Sequence, residues 1–213
     1  LDNSRQKPQG GEISAFALMT MKNGSVSEVI VQTPDDVNFN FRGLSQDVVN
    51  ELNNRKFTYK TLDNLLINDL TNIYDSENFE SAMTQIFKDT YQRDLSGMLE
   101  LNYSSLDNLI SELLSVSKKE YLVEINGVKF DGKNILQELK LTQIGNENLA
   151  AKHRVSAQLL SSIINYIFTD LKNNLPVVSE TLFNATKTKD VIAVVPELEY
   201  RKFIDKYNID GNN

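Results

Sequence analysis

The side chains best suited to chemistry in this sequence are a single histidine and two pairs of neighbouring acids. His153 is the only histidine of the chain, and the acids are Asp35 with Asp36 and Glu197 with Glu199. A Ser-His-Asp arrangement would have to be built around His153. Asp35 and Asp36 follow a proline and offer the oxygen ligands that Mg²⁺ prefers. Both features also have structural interpretations, as a packed histidine on an apolar helix face and as turn-forming acids.

Composition excludes several other classes of protein. The chain has no cysteine, which rules out disulfides, thiol catalysis, cysteine-zinc sites and iron-sulfur clusters within it. Its formal net charge is -7, with 29 acidic against 22 basic side chains. This balance argues against a nucleic-acid partner and against broad adhesion to anionic lipid, since both need clustered cations. Gly10 and Gly11 precede a strand instead of following one, so they do not form a phosphate-binding loop.

Two predicted strands lead directly to the acid pair. Residues 13–21 and 25–33 have strand-like patterns, and Asn23-Gly24 between them is the preferred pair for a two-residue hairpin turn. The first strand is apolar on both faces, which predicts a position inside a sheet. Pro34 ends the second strand, so Asp35 and Asp36 are expected in the loop after it.

The rest of the chain alternates between helical and strand patterns. Predicted helices cover 46–53, 61–73, 76–91, 104–115, 132–140, 147–173, 176–186 and 196–207, and further strands cover 99–103, 120–125, 128–130 and 190–195. Asn126-Gly127 predicts a second hairpin turn. We therefore expect an α/β fold with a central mixed sheet, antiparallel hairpins and helices packed on both faces, formed by residues 1–213 as a single globular domain.

The order of these elements resembles that of a known family. The opening "LDNSRQKPQGGEISAFALMTMKNGSVSEVIV" resembles the "DNSxxRPxGGFIGSYALxxxxNGKI" opening of an uncharacterised family of membrane-anchored bacterial proteins, the domain of unknown function 4012 family. The segments "LSGMLELNYSSLDNLI", "VEINGVKFDGKNILQEL" and "LLSSIINYIFTDLKN" are similar to later parts of that family, in the same order. The resemblance implies an extracytoplasmic domain, with a membrane anchor upstream of Leu1.

That family is in turn similar in layout to the LytR-CpsA-Psr phosphotransferases. These enzymes move glycopolymers from a polyprenyl-pyrophosphate carrier to the bacterial cell wall, and the resemblance implies arginines and Mg²⁺ at a pyrophosphate site. Candidate counterparts are Arg5, Lys152 and Arg154 for the ligand and Asp35 and Asp36 for the metal. The chain departs from the pattern, because Asp35 stands where a phosphate-binding arginine is expected, and aspartate repels a pyrophosphate.

Three functions follow from this comparison. The first is a noncatalytic extracytoplasmic domain of a membrane-anchored bacterial envelope protein that acts in cell-surface assembly or recognition, with a cell-wall glycopolymer or an envelope protein as partner and no cofactor. The second is a divergent Mg²⁺-dependent phosphotransferase, which requires Arg5, Asp36 and Arg154 to converge on one cleft. The third is an adaptor that binds a protein through an exposed strand edge or hairpin.

Overall fold

A computed structural model describes residues 12–22, 25–55, 60–73, 76–95, 97–142, 149–187 and 191–194. The strands are Phe16–Lys22 (β1), Ser25–Gln32 (β2), Met98–Leu101 (β3), Val123–Ile125 (β4), Val128–Phe130 (β5) and Val191–Val194 (β6). The α-helices are Gln46–Arg55 (α1), Glu77–Tyr91 (α2), Tyr103–Ser117 (α3), Ile135–Thr142 (α4), Leu149–Thr169 (α5) and Leu171–Lys187 (α6). Two 3₁₀ segments cover Pro34–Asp36 and Ile67–Ile73. The structure is mixed helix and strand and about 60% helical.

The described strands form three separate two-stranded antiparallel sheets. β1 pairs with β2 and β4 pairs with β5 as hairpins, while β3 pairs with the distant β6. The expected central mixed sheet is therefore not shown among these residues. The prediction that β1 lies covered inside a sheet is wrong for them, since β2 is its only described partner strand and Met19 is 48% exposed. The helices, and not a sheet, provide most of the cover for the core.

Buried apolar side chains form two clusters that follow one another along the chain. The first core is built from α1, α2, the 3₁₀ segment Ile67–Ile73 and residues beside β1, including Ile13, Phe79 and Ile86. Phe16 of β1 packs on it, with its ring centroid 5.2 Å from that of Phe87 in an edge-to-face contact. Such aromatic contacts add stability beyond the burial of area. The first core thus fixes the hairpin that leads to Asp35.

The second core lies between α3, α4, α5 and the β4–β5 hairpin. Its members include Ile110, Phe130, Leu139 and Leu159, each almost completely buried. The predicted hairpin turn is confirmed here, because Asn126 and Gly127 have φ values of 52° and 78°. α5 also contacts β1, β2 and the 3₁₀ segment after β2, so this helix links the second core to the first.

Several predicted helix boundaries are wrong, among them the start of α3, the end of α5 and the region 61–73, where only a 3₁₀ segment from Ile67 forms. The Ser104–Asp107 capping box does not form, because Asn102 caps α3 by accepting a hydrogen bond from the Ser105 amide at 2.8 Å. Asp107 instead accepts the Ile135 amide at 2.8 Å, at the start of α4. The long C-terminal helix ends at Thr169.

The break after Thr169 comes before Pro176, which lies within α6. Predicted strand 190–195 is confirmed as β6 over its described part, and predicted helix 196–207 lies outside the described residues. Among the described helices, none combines the length and the apolar character needed to cross a bilayer.

Candidate functional site

Polar side chains meet between the two cores, and all of them except the half-exposed Asp35 are largely buried. We call this group the polar seam; its members on the side of the first core are Glu12, Ser14 and Asp35, and those on the side of the second core are Tyr103, Lys152, His153 and Ser156. The segment before β1 is fixed to the first core by Asn68, whose side-chain oxygen accepts the Ile13 amide at 2.7 Å. Each contact across the polar seam therefore ties α3 or α5 to the first core.

His153 lies at the centre of the polar seam. Its side chain is 1% exposed, and Nδ1 is 2.6 Å from Oδ2 of Asp35 in the 3₁₀ segment after β2. On the other side, Nε2 is 3.6 Å from Oε1 of Glu12, which is itself 6% exposed. Nε2 has no hydrogen-bond partner in the described part of the chain. The imidazole is thus held between two carboxylates, with one close contact and one longer one.

The surroundings of His153 favour its protonated form. Burial alone would lower its pKa, but the carboxylates of Glu12 and Asp35 outweigh burial and raise the pKa above its ordinary value. In a neutral ring with the proton on Nδ1, the Nε2 lone pair would face the Glu12 carboxylate. Protonation turns that repulsive contact into an attractive one. The two carboxylates of the polar seam are therefore balanced by two cations only while His153 carries its second proton.

Lys152 and Tyr103 complete the polar seam beside Glu12. Lys152 Nζ is 3.8 Å from Glu12 Oε2 and 5.9 Å from the centroid of the Tyr103 ring, and burial lowers the lysine's pKa. The Tyr103 hydroxyl donates to Ser14 Oγ at 2.9 Å and lies 3.2 Å from Ser156 Oγ. Burial raises the pKa of Tyr103, so this phenol stays neutral below pH 10.

The structure brings together only part of the predicted site. Asp35 and Lys152 both lie in the polar seam, bound to His153 and Glu12 respectively. Asp36 points elsewhere, since its Oδ2 accepts the Thr33 hydroxyl at 2.7 Å, and Arg154 is exposed on α5. Arg5 lies outside the described residues. No described hydrogen bond or ion pair joins Asp36 to Arg154, and their convergence with Arg5 on one cleft stays a prediction.

The polar seam lacks the geometry of two familiar kinds of catalytic site. Its serines are bonded to Tyr103, and the buried Nε2 of His153 has no hydroxyl partner, so no described Ser-His-Asp arrangement exists. The described chain also contains no group of three or more acids and histidines placed to hold a metal ion. Asp35 and Asp36 as Mg²⁺ ligands stay a prediction.

Sequence patterns identified one half of the polar seam and missed the other. The interpretation of His153 as a packed residue on an apolar helix face agrees with its burial. Glu12, Ser14 and Ser156 were not predicted, because a polar residue next to a buried strand or within a helix has no signature in its own sequence neighbourhood. The one available signal for Glu12 is its position between Gly10-Gly11 and an apolar run. A charged residue that is buried beside such a run requires a partner of opposite charge.

A second ionisable cluster, which we call the acidic cluster, lies between α3 and α4 at the edge of the second core. It consists of Asp107, Asp131 and Glu138, with Lys133 bound to Asp131 at 2.5 Å. Glu138 Oε1 accepts the Asp131 amide at 3.4 Å, while its buried Oε2 has no described hydrogen-bond partner. Burial and the negative charges of Asp131 and Asp107 raise the pKa of Glu138 to about 7.

The loop carrying the acidic cluster is held tightly against α3. Gly132 has a φ of 77°, and a Cβ at this position would come within 2.7 Å of the Ser111 amide nitrogen and 2.8 Å of the Asp107 carbonyl oxygen. The Ser111 hydroxyl donates to the Gly132 carbonyl at 2.9 Å. Glycine is required here for both its backbone conformation and its lack of a side chain.

An open groove of about 460 Å³ lies between the β4–β5 hairpin and α5. Its lining consists of Val123, Glu124, Ile125, Asn126, Gln158, Ser161 and Ser162. Amide and hydroxyl groups dominate on the side of α5, and no member of the polar seam lines the groove. This lining suits a hydrogen-bonding ligand better than a lipid tail.

Comparison with models of protein families, with curated proteins and with solved structures finds no match to this chain.

Proposed function

We propose that this chain is a noncatalytic extracytoplasmic domain of a membrane-anchored bacterial envelope protein, acting in cell-surface assembly or recognition. One observation carries the noncatalytic part. Lys152, which the family resemblance places in the cationic part of a pyrophosphate site, and the neighbouring His153 are engaged by Glu12 and Asp35 within the chain itself. The cations are therefore neutralised internally instead of being presented to an anionic ligand.

The electrostatic cost of turning this arrangement into a pyrophosphate site is large. A pyrophosphate at Lys152 and His153 would meet the Glu12 carboxylate, which is 6% exposed and cannot be screened by water as a surface charge would be. Arg154 is an exposed residue of α5. Pyrophosphate recognition depends on several convergent cations, so this geometry favours a role without phosphoryl transfer.

The open groove supports recognition of a cell-wall glycopolymer as the more specific form of the proposal. Gln158, Ser161 and Asn126 offer neutral donors and acceptors, which match the hydroxyl groups of a sugar chain. The proposal also includes the family's central mixed sheet, to which the described hairpins would contribute, and an upstream membrane anchor.

Co-sedimentation with purified bacterial cell-wall sacculi tests recognition. Sacculi that retain their attached glycopolymers are compared with sacculi from which these polymers have been chemically removed. We expect the protein to pellet with the first and not with the second, and the Gln158→Ala/Ser162→Ala double variant to lose most of this binding. Asn165→Ala, an exposed change on the same helix outside the groove, is the matched control and should bind normally. Equal recovery with both kinds of sacculi would contradict glycopolymer recognition.

A transfer assay tests the absence of turnover. The protein is incubated with Mg²⁺, acceptor sacculi and a radiolabelled glycopolymer on a polyprenyl-pyrophosphate carrier, and label bound to the sacculi is counted. We expect no Mg²⁺-dependent transfer. Transfer that Arg154→Ala abolishes and Lys172→Ala, an exposed control on α6, leaves intact would establish the phosphotransferase alternative. Neither transfer nor binding to sacculi would favour a protein-binding adaptor.

A further inference from the structure

We propose that His153 is a pH-dependent fastener between the two cores: while protonated it holds the first turns of α5 against Glu12 and Asp35, and when it loses its proton the polar seam opens locally. This inference is independent of the proposed function. It rests on where the imidazole lies and on what it joins. Glu12 and Asp35 belong to the first core's side, and His153 belongs to α5, which packs in the second core.

The fastener depends on charges from each element that packs against His153. Glu12 faces it from the segment before β1, and Asp35 faces it from the 3₁₀ segment after β2. On α5 itself, Lys152 lies beside Glu12, while Arg154 is exposed.

Two other ionisable side chains nearby, Asp36 and Tyr103, are not bonded to His153. Asp36 is turned toward Thr33, and Tyr103 on α3 stays neutral because burial raises its pKa. Deprotonation therefore leaves the Glu12 and Asp35 carboxylates with Lys152 as the nearby buried cation, and the attraction across the polar seam falls.

Local opening, and not global unfolding, is the expected response. The apolar members of both cores do not titrate, and α5 keeps its contacts with α4 and α6 when the imidazole is neutral. The parts joined through His153 are short: the segment 12–15, the turn 33–37 and the first turns of α5. Segments with few apolar anchors open at lower free energy than the core elements around them.

Two measurements on the intact chain test the fastener together. The first is an NMR titration of His153, which is unambiguous because the chain has one histidine. The second is hydrogen-deuterium exchange across pH 5.5 to 9, corrected for the intrinsic pH dependence of exchange. We expect His153 to titrate above its ordinary pKa. Protection of 12–15, 33–37 and 149–156 should fall through the same titration, by at most about tenfold per pH unit.

Helix α2 serves as the internal reference, since it lies in the first core and the described bonds of His153 go to Glu12 and Asp35 instead. The protection of α2 from hydrogen exchange should stay constant while His153 titrates. His153→Gln should remove the pH dependence from the three seam segments. Protection that stays constant through the titration, or a pH dependence that persists in His153→Gln, would overturn the proposal.

A second variant, which disturbs the core less, tests the proposal even if His153→Gln folds poorly. Asp35 is half exposed, so Asp35→Asn removes one charge with little disturbance of the core. This variant should lower the pKa of His153 and shift the loss of protection to lower pH by the same amount. Asp36→Asn is the matched control, because Asp36 bonds to Thr33 and not to the histidine. A shift of equal size in both variants, or in neither, would contradict the fastener.

Discussion

The polar seam and the acidic cluster answer the same problem of buried charge in opposite ways. In the polar seam a cation lies between two carboxylates, so protonation of His153 creates attraction. In the acidic cluster carboxylates lie together, so protonation of Glu138 relieves repulsion. Both pKa values are raised, and both groups therefore bind protons more tightly in the folded protein. Stability that falls with rising pH can therefore have two causes: the loss of an attraction, as at His153, or the appearance of a repulsion, as at Glu138.

The largest expected effect comes from breaking the acidic cluster through its backbone. Gly132→Ala should lower the free energy of unfolding by about 3 kcal/mol, because a Cβ would meet α3 backbone and a φ of 77° is strained for alanine. Gly127→Ala is the matched control: its φ is 78°, but its Cβ would meet nothing within 4 Å. Urea unfolding followed by circular dichroism should show a loss of only about 1 kcal/mol for this control. Equal losses would show that the contact with α3 is not close.

Removing the cation of the polar seam should have the next largest effect, and it should depend on pH. His153→Leu leaves Glu12 and Asp35 without the imidazolium, and we expect a loss of about 2 kcal/mol at pH 5.5. Because the folded pKa is raised, the stabilisation is complete below the unfolded value and disappears as pH rises through the folded value. Urea unfolding at pH 5.5 and 9 should therefore show a larger difference from the natural chain at the lower pH.

Glu138→Gln should have the opposite effect to His153→Leu, because it removes a repulsion between carboxylates and not an attraction. The folded pKa of Glu138 is about 7 against an ordinary 4.5, so the natural chain loses stability as pH rises between these values. Glutamine imitates the protonated form, and we expect it to be more stable than the natural chain by about 1 kcal/mol at pH 8, after allowance for solvent screening. At pH 4 the two should unfold at the same urea concentration. A destabilised variant at pH 8 would mean that the ionised carboxylate makes a favourable contact.

The smallest expected effect isolates the part of the polar seam that does not titrate. Tyr103→Phe removes the hydroxyl bonded to Ser14 and Ser156 and should cost about 1 kcal/mol. Since the phenol stays neutral below pH 10, this loss should be constant from pH 5.5 to 9 in thermal and urea unfolding. A loss that varied with pH would link the hydroxyl pair to the ionisation of His153.

Local patterns in the sequence predicted the elements better than they predicted the site. The strands β1 and β2, the helices α1 and α2, and β6 follow from hydrophobic periodicity, and the β4–β5 hairpin follows from its Asn-Gly turn. Both signals act between near neighbours in the chain, while Asn23-Gly24 lies outside the described residues. The cap of α3 was misplaced by two residues because Asn102 and Ser104 are both good caps, and Asp107 is used by α4 instead. The choice between them depends on tertiary contacts.

The polar seam depends on contacts that no short window of sequence contains. Glu12 and Asp35 meet His153 only because the first core fixes the β1–β2 hairpin beside α5. The acidic cluster likewise requires Asp107 to pack beside a loop that follows β5. The sequence allows the prediction that a buried charge has a partner of opposite charge, because burial without one is costly. It does not allow the prediction of which distant residue is that partner.

The pairing of β3 with β6 has a consequence for the order of folding. β3 leads directly into the cap of α3, yet its partner strand comes after α3, α4, α5, α6 and the β4–β5 hairpin. The first core can collapse before β6 has folded, but β3 keeps an unpaired edge until the helices between the two strands are in place. Slow folding of these helices would therefore prolong the exposure of a strand edge that can pair with another chain.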